Sequence, residues 1–70
     1  MNYVIIEMQT INGSTAVVPP VVYSDEINAE AAFLEKCMYA RRSGLDVHCV
    51  SLLNQEGQVV ARKCYKTEND

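Results

Sequence analysis

The chain lacks the long apolar runs of membrane proteins and the clustered glycines of many catalytic loops. No stretch reaches the roughly 18 apolar residues of a membrane-spanning helix, and no charged segment followed by a signal-type core stands at the N-terminus. The three glycines lie far apart, so the chain has neither a phosphate-binding loop nor a dinucleotide-binding motif. The absence of a membrane span and of a signal segment predicts a cytoplasmic protein that does not associate with membranes.

Basic residues are outnumbered by acidic ones. Six Lys and Arg against nine Asp and Glu give a formal net charge of −3. This balance argues against nonspecific binding to nucleic acids, because such binding needs a basic surface. One local basic patch is a candidate, formed by Arg41 and Arg42 together with Arg62 and Lys63. Solvated surface is the simpler interpretation of these charges, so we do not expect nucleic acid as a partner.

Cysteine is present in odd number and without CxxC spacing. Cys37, Cys49 and Cys64 could be combined with His48 as a zinc-binding set. However, His48 and Cys49 are neighbours in a predicted strand, so their side chains point to opposite faces and do not easily share one tetrahedral ion. We therefore expect no metal site and no cofactor, with reduced thiols that pack as small core hydrophobes.

The single histidine also invites comparison with a catalytic triad. Asp46 and His48 share a strand face, but Ser51 lies three residues from His48 and faces the other way. No nucleophile elbow and no glycine-rich oxyanion loop accompanies them. A lone histidine in a strand is more often a packed or interface residue. We predict no catalytic residue and a protein that is not an enzyme.

One segment, from Ser24 to Gly44, has sustained helical periodicity. Ser24 is a candidate N-cap, and Gly44 can end the helix at positive φ. Residues at i, i+4, i+7 and i+11 form one apolar stripe, which we expect to face the sheet: Ile27, Ala31, Leu34 and Met38. Cys37 and Ala40 widen this stripe on one side. The helix is predicted over about residues 25–43.

The segments on either side of the helix have the pattern of strands, predicted over about residues 3–9, 15–23, 46–53 and 58–66. Asn12-Gly13 predicts a tight hairpin between the first two strands, because a type I′ turn needs positive φ at both central positions. Pro19 and Pro20 have no N–H to donate. They make the second strand a kinked edge strand.

These elements predict one domain over residues 1–70 of the α+β class. It is a two-layer ββαββ fold in which one helix packs on a four-stranded antiparallel sheet. The first and third strands are apolar on both faces and belong in the middle of the sheet. The fourth strand is more polar and suits an edge, so the predicted order is 2-1-3-4. The alternative, 2-1-4-3, would place a polar strand inside the sheet.

The widths of the two layers predict an uncovered surface. Four strands at about 4.8 Å spacing span close to 19 Å, whereas a helix with its side chains is about 10 Å wide. One helix therefore covers about half of one sheet face and leaves the other face without a cover. On this uncovered face we place Tyr3, Ile5, His48, Val50 and Leu52. Exposed apolar patches of this size mark interfaces, so these residues predict a homodimer face.

The chain resembles small uncharacterised proteins carried by prophages and other mobile elements of gut Firmicutes and related bacteria. The resemblance rests on two runs, TAVVPPVVYSDEINAEA and DVHCVSLLNQEGQVVARKCY. The shared pattern is a PPVVY segment, an acidic Ala-rich helix start, a V-H strand and an EG turn. The resemblance brings no activity and no catalytic residue. It implies a bacterial or phage accessory protein in the host cytoplasm or, for a phage structural component, in the virion.

Three functions are open at this point. The leading one is a non-enzymatic accessory protein that acts through protein–protein contacts as a homodimer. The alternative is a small nucleic-acid-associated regulator of a mobile element, which would use the basic patch. The third is an enzyme with a site at the dimer interface near His48.

Overall fold

The computed structural model describes residues 1–67, which form four strands and one helix. In chain order these are β1 (Tyr3–Ile11), β2 (Ser14–Tyr23), α1 (Glu26–Arg42), β3 (Val47–Asn54) and β4 (Val59–Lys66). The strands form one antiparallel sheet in the order β2-β1-β3-β4, and α1 packs on one face. The predicted α+β class and strand order are confirmed. Within the described residues, no helix combines the length and the apolar character that crossing a membrane requires.

The first hairpin follows from its turn residues and its prolines. Asn12 and Gly13 both adopt positive φ, 51° and 82°, as the predicted tight turn requires. β2 is an edge strand, and its register against β1 shifts so that Pro19 and Pro20 lie opposite the single residue Ile6. A bulge on an edge strand tolerates residues that cannot donate to the ladder. The predicted kinked edge strand is therefore confirmed.

The N-cap of α1 lies one residue later than predicted. Asp25, not Ser24, is the N-cap: its backbone is extended, and its Oδ2 accepts a hydrogen bond from the Asn28 N–H at 3.1 Å. At the other end Ser43 is the C-cap, and Gly44 follows with a φ of 69°. The predicted role of the glycine is confirmed, because the left-handed conformation there strains any side chain.

The face of α1 that packs on the sheet differs from the predicted stripe. The buried helix residues are Ala29, Phe33, Cys37 and Ala40. The predicted stripe is exposed instead: Ile27, Ala31, Leu34 and Met38. Leu34 is 58% exposed, against 4% for Phe33. Both sets repeat with the helical period, so periodicity alone does not distinguish them. Small side chains let α1 lie close to the sheet, and Phe33 fills the space between the layers.

The two sheet faces are also reversed relative to the prediction. The core beneath α1 takes Ile5, Val50 and Leu52 from the sheet, with Tyr3 packed against it. His48 is buried on the same face. The five residues predicted as an uncovered dimer face therefore form the face that α1 covers, and they are not free for a dimer contact. β1 and β3 are apolar on both faces, so the alternation of their residues does not reveal which face the helix covers.

Candidate functional site

A cluster of polar side chains lies between the sheet and the C-terminal half of α1. This polar cluster consists of Glu7, Gln9, Lys36, Ser43 and His48. Glu7 Oε2 lies 2.6 Å from His48 Nε2 and 3.1 Å from Gln9 Nε2, and its Oε1 lies 3.4 Å from Lys36 Nζ. His48 Nδ1 lies 3.0 Å from Ser43 Oγ. The cluster therefore joins β1 and β3 to the end of the helix.

The hydrogen bonds of the polar cluster assign a role to each atom. The Ser43 hydroxyl donates to a carbonyl oxygen in the last turn of α1, which leaves His48 Nδ1 to donate to Ser43 Oγ. The other ring nitrogen faces the Glu7 carboxylate, so both nitrogens point at acceptors. Burial raises the pKa of Glu7, but hydrogen bonds from His48 and Gln9 and the nearby lysine charge outweigh it and lower the pKa overall. The cluster thus holds a carboxylate in a mostly buried place.

The order serine, histidine, carboxylate is also found in nucleophilic catalysts. Here the hydroxyl hydrogen of Ser43 is directed at the helix backbone and not at His48. The backbone N–H of Leu45 bonds to Ser43 Oγ itself and offers nothing to a substrate. His48 is buried, and the two clefts on α1 are lined by neither residue. The geometry suits a clamp that fixes the end of α1 to the sheet.

The residues considered for a triad from the sequence do not come together. Ser51 lies on the other face of the sheet from His48, and Asp46 accepts a hydrogen bond from the Asn12 N–H at 2.8 Å. Sequence reasoning missed Glu7 as the partner of the histidine. The available signal was a carboxylate inside the apolar strand YVIIEMQ, because a buried charge needs a partner.

The second candidate feature is the sheet face opposite α1, which we call the open face. Among residues 1–67 no element covers it. The strand register places apolar residues on it from all four strands: Val4, Ile6, Met8, Val17, Val22, Leu53 and Val59. The members on the central strands are half-buried, whereas Val17 and Val22 are 59% and 62% exposed. Ser51 and Arg62 lie on the same face, nearer its β4 edge. An apolar surface of this kind is typical of an interface.

A disulfide joins β3 to the edge strand β4 on the open face. Cys49 and Cys64 are paired directly in the β3–β4 ladder with their Cα atoms 4.0 Å apart, and their sulfurs are bonded. The expectation of three reduced thiols is wrong for this pair, because the register places both side chains on one face. Cys37 is free and buried in the core. Burial raises the pKa of its thiol, with partial opposition from the charge of Lys63, so it is a poor nucleophile.

We expect one alkylatable thiol in the unfolded, unreduced protein and three after reduction. Unfolding releases Cys37, whereas Cys49 and Cys64 stay joined until a reductant cleaves them. Mass spectrometry after alkylation in denaturant, with and without reductant, counts the thiols directly. The Cys37→Ala variant is the control and should show no label without reductant and two labels with it. Three labels without reductant would contradict the disulfide.

The predicted basic patch is not one surface. Lys63 lies on the covered face of β4 and Arg62, the preceding residue, on the open face. Arg41, near the end of α1, lies over the ring of Tyr65 with its guanidinium carbon 5.8 Å from the ring centroid. Arg42 follows it in the last turn. The strand β4 places Arg62 and Lys63 on opposite sides of the sheet, so the four charges that the nucleic-acid hypothesis needed together do not form one surface.

Comparison of the chain with protein-family models, with curated proteins and with solved structures gives no match. Among the described residues, no group of three or more His, Cys, Asp or Glu side chains is placed to hold a metal ion. Two features remain as a basis for a function, the polar cluster and the open face. The polar cluster uses its hydrogen bonds internally, whereas the open face has no partner within residues 1–67.

Proposed function

We propose that the chain is a non-enzymatic accessory protein that acts through protein–protein contacts, with a homodimer joined through the open face as its working form. The observation that supports this proposal is the apolar character of that face across all four strands, without a cover among residues 1–67. Removing apolar surface from water stabilises an assembly by about 25 cal/mol per Å². Burying the open face against a partner would therefore stabilise the complex.

The size of the open face suits a second copy of the chain. A sheet about 19 Å wide and, at about 3.3 Å per residue, about 26 Å long has a projected area on the order of 500 Å². Two copies packed face to face bury on the order of 1,000 Å² or more, which is the size at which a specific interface becomes stable. Two sheets stack in this way in β-sandwiches.

The small core gives a second reason for self-association. Three of its four helix residues are small: Ala29, Cys37 and Ala40. Domains of about 70 residues bury a limited share of their surface and often recruit a partner subunit for stability. A dimer through the open face adds a second apolar layer on the other side of the sheet.

In this proposal the polar cluster has a structural role, because it fixes α1 to β1 and β3. The resemblance to prophage and mobile-element proteins suggests a bacterial or phage setting, with the host cytoplasm as the location. The dimer would there present its outer surfaces, including the helices, to another protein. No chemical step is assigned to any side chain.

The test is the mass of the particle in solution. Sedimentation equilibrium at low micromolar concentration is expected to give twice the 7.8 kDa chain mass. Val17→Glu should produce a folded monomer, because a carboxylate would be buried in the apolar contact. Val17 is exposed on an edge strand in the single chain, so glutamate is tolerated there without the partner.

The matched control is Ala16→Glu. Ala16 is exposed on the same edge strand, but its register position opposite Gln9 places it on the other side of the sheet. This variant should remain dimeric. A wild-type particle of 7.8 kDa, or the same loss of dimer in both variants, contradicts the proposal.

A further inference from the structure

α1 carries a second apolar stripe that points away from its own sheet. The outer stripe consists of Ile27, Ala31, Leu34 and Met38, all exposed, with Ile27 at 77%. At about 100° per residue, its centre lies about 135° around the helix from the centre of the buried residues. A helix that is apolar on both sides is typical of a helix packed between two layers. Residues 1–67 supply one of these layers, the sheet.

The spacing of the outer stripe is that of a helix–helix seam. Its members are separated by four, three and four residues, the alternation of core positions in a coiled coil. Beside Ile27, Ala31 and Leu34, next to Glu30, lies a shallow hollow of about 300 Å³. The small side chain of Ala31 forms part of this hollow and leaves room for a side chain from a second helix.

The charges at the two ends of α1 identify the occupant. Glu30 lies near its start and Arg42 in its last turn, both on the outer side of the helix. Glu26 and Arg41 also lie at the two ends but face the sheet, beside Tyr3 and Tyr65. Two copies of α1 in antiparallel orientation place the acidic start of each helix beside the basic end of the other. A parallel pair places like charges together, which costs free energy. The charge pattern therefore fits a second copy of this chain in antiparallel orientation.

We infer that the outer stripe is a second self-association surface, on which α1 of another copy packs antiparallel. The two-fold axis passes between Ala31 and Leu34, so Ile27 lies beside the partner's Met38. The seam is about 16.5 Å long and about 10 Å wide, so two copies bury on the order of 350 Å² of projected area, well below the open-face contact and typical of weak contacts. The helix pair forms only at high protein concentration.

This inference does not depend on the proposed dimer, because the outer stripe and the open face lie on different layers of the domain. Where both contacts form, each chain has two neighbours. Contacts on nearly opposite sides of a subunit do not close into a pair, so the particle grows past a dimer as concentration rises. If either the open-face contact or the outer-stripe contact is removed, the largest assembly is a dimer.

Disulfide trapping tests the inference. Ile27→Cys and Met38→Cys are made as separate chains, each carrying Val17→Glu so that the open face does not contribute. After mixing and mild oxidation, we expect on the order of tenfold more cross-linked dimer than in either variant alone, because a disulfide needs Cβ atoms within about 4.5 Å. In the antiparallel pair, equivalent residues at position 27 are about 16.5 Å apart along the helix axis.

Two further measurements decide the outcome. Peptide mapping should find the bond between positions 27 and 38 and not at the buried Cys37. Adding Leu34→Glu to both chains should abolish the cross-link. Equal cross-linking in the unmixed variants would show a parallel pair, and no cross-link in the mixture would show no pair. Either result overturns the inference and leaves the open-face proposal to its own test.

Discussion

Replacing Phe33 with alanine is expected to lower the free energy of unfolding by about 3–5 kcal/mol, whereas the same change at Leu34 should cost less than about 1 kcal/mol. Phe33 is the one large helix side chain in the core beneath α1, and Leu34 lies on the outer stripe. A chain of this size has only about 4–10 kcal/mol of stability in total. Phe33→Ala therefore leaves the domain close to unfolding at room temperature.

Urea denaturation followed by circular dichroism, at low micromolar concentration where the helix contact is absent, measures both changes. The adjacent position is the matched control, because both residues lie in the middle of α1 and differ in the direction that they face. A larger loss for Leu34→Ala than for Phe33→Ala would mean that α1 packs through the outer stripe.

Glu7→Gln is expected to lower the free energy of unfolding by about 1.5–3 kcal/mol at neutral pH, the range for hydrogen bonds to a charged group. The side chain keeps its size, so the change removes the charge that His48, Gln9 and Lys36 share. His48 is then left buried without a charged acceptor. Denaturation of the two proteins at a series of pH values measures the difference.

The difference in the free energy of unfolding between the wild type and Glu7→Gln should shrink as the pH falls. The pKa of Glu7 is lowered below its ordinary value of about 4.3, so the carboxylate contributes its full stabilisation above that value and loses it as pH falls through the lowered pKa. Glu7→Gln has nothing to titrate at this position, and the difference in the free energy of unfolding should narrow as the pH falls below about 4.3. Glu35→Gln, on the exposed side of α1, is the control and should show little effect. A difference that persists in strong acid would assign the effect to packing.

The secondary structure and the strand order could be predicted because their signals are local. Asn12-Gly13 sets the first hairpin through its positive φ angles, and Gly44 ends the helix in the same way. Pro19 and Pro20 confine β2 to an edge, since they cannot donate to a ladder. Each signal acts through a few neighbouring residues, so the order of residues along the chain is enough to read it.

The candidate sites could not be predicted in the same way, because they depend on residues far apart in the chain. Glu7 meets His48 across 41 positions, and Cys49 meets Cys64 across 15. Each pair exists only once the sheet register is set. The widths of the predicted elements, one helix and four strands, did predict an uncovered apolar face. It did not show which residues form that face.

The amino-acid sequence by itself therefore determined the helix and strands, their order in the sheet, and the fact that one helix is too narrow to cover the sheet. What only the tertiary structure decided is the direction that each apolar surface faces. α1 has two apolar stripes, and β1 and β3 each have two apolar faces. The spacing of apolar residues is therefore compatible with either stripe and either face in the core. Packing decides which surfaces form the core, because Ala29 and Ala40 let α1 approach the sheet closely and Phe33 fills the space between them. The hydrogen bonds from Glu7 through His48 to Ser43 then hold α1 on this face of the sheet.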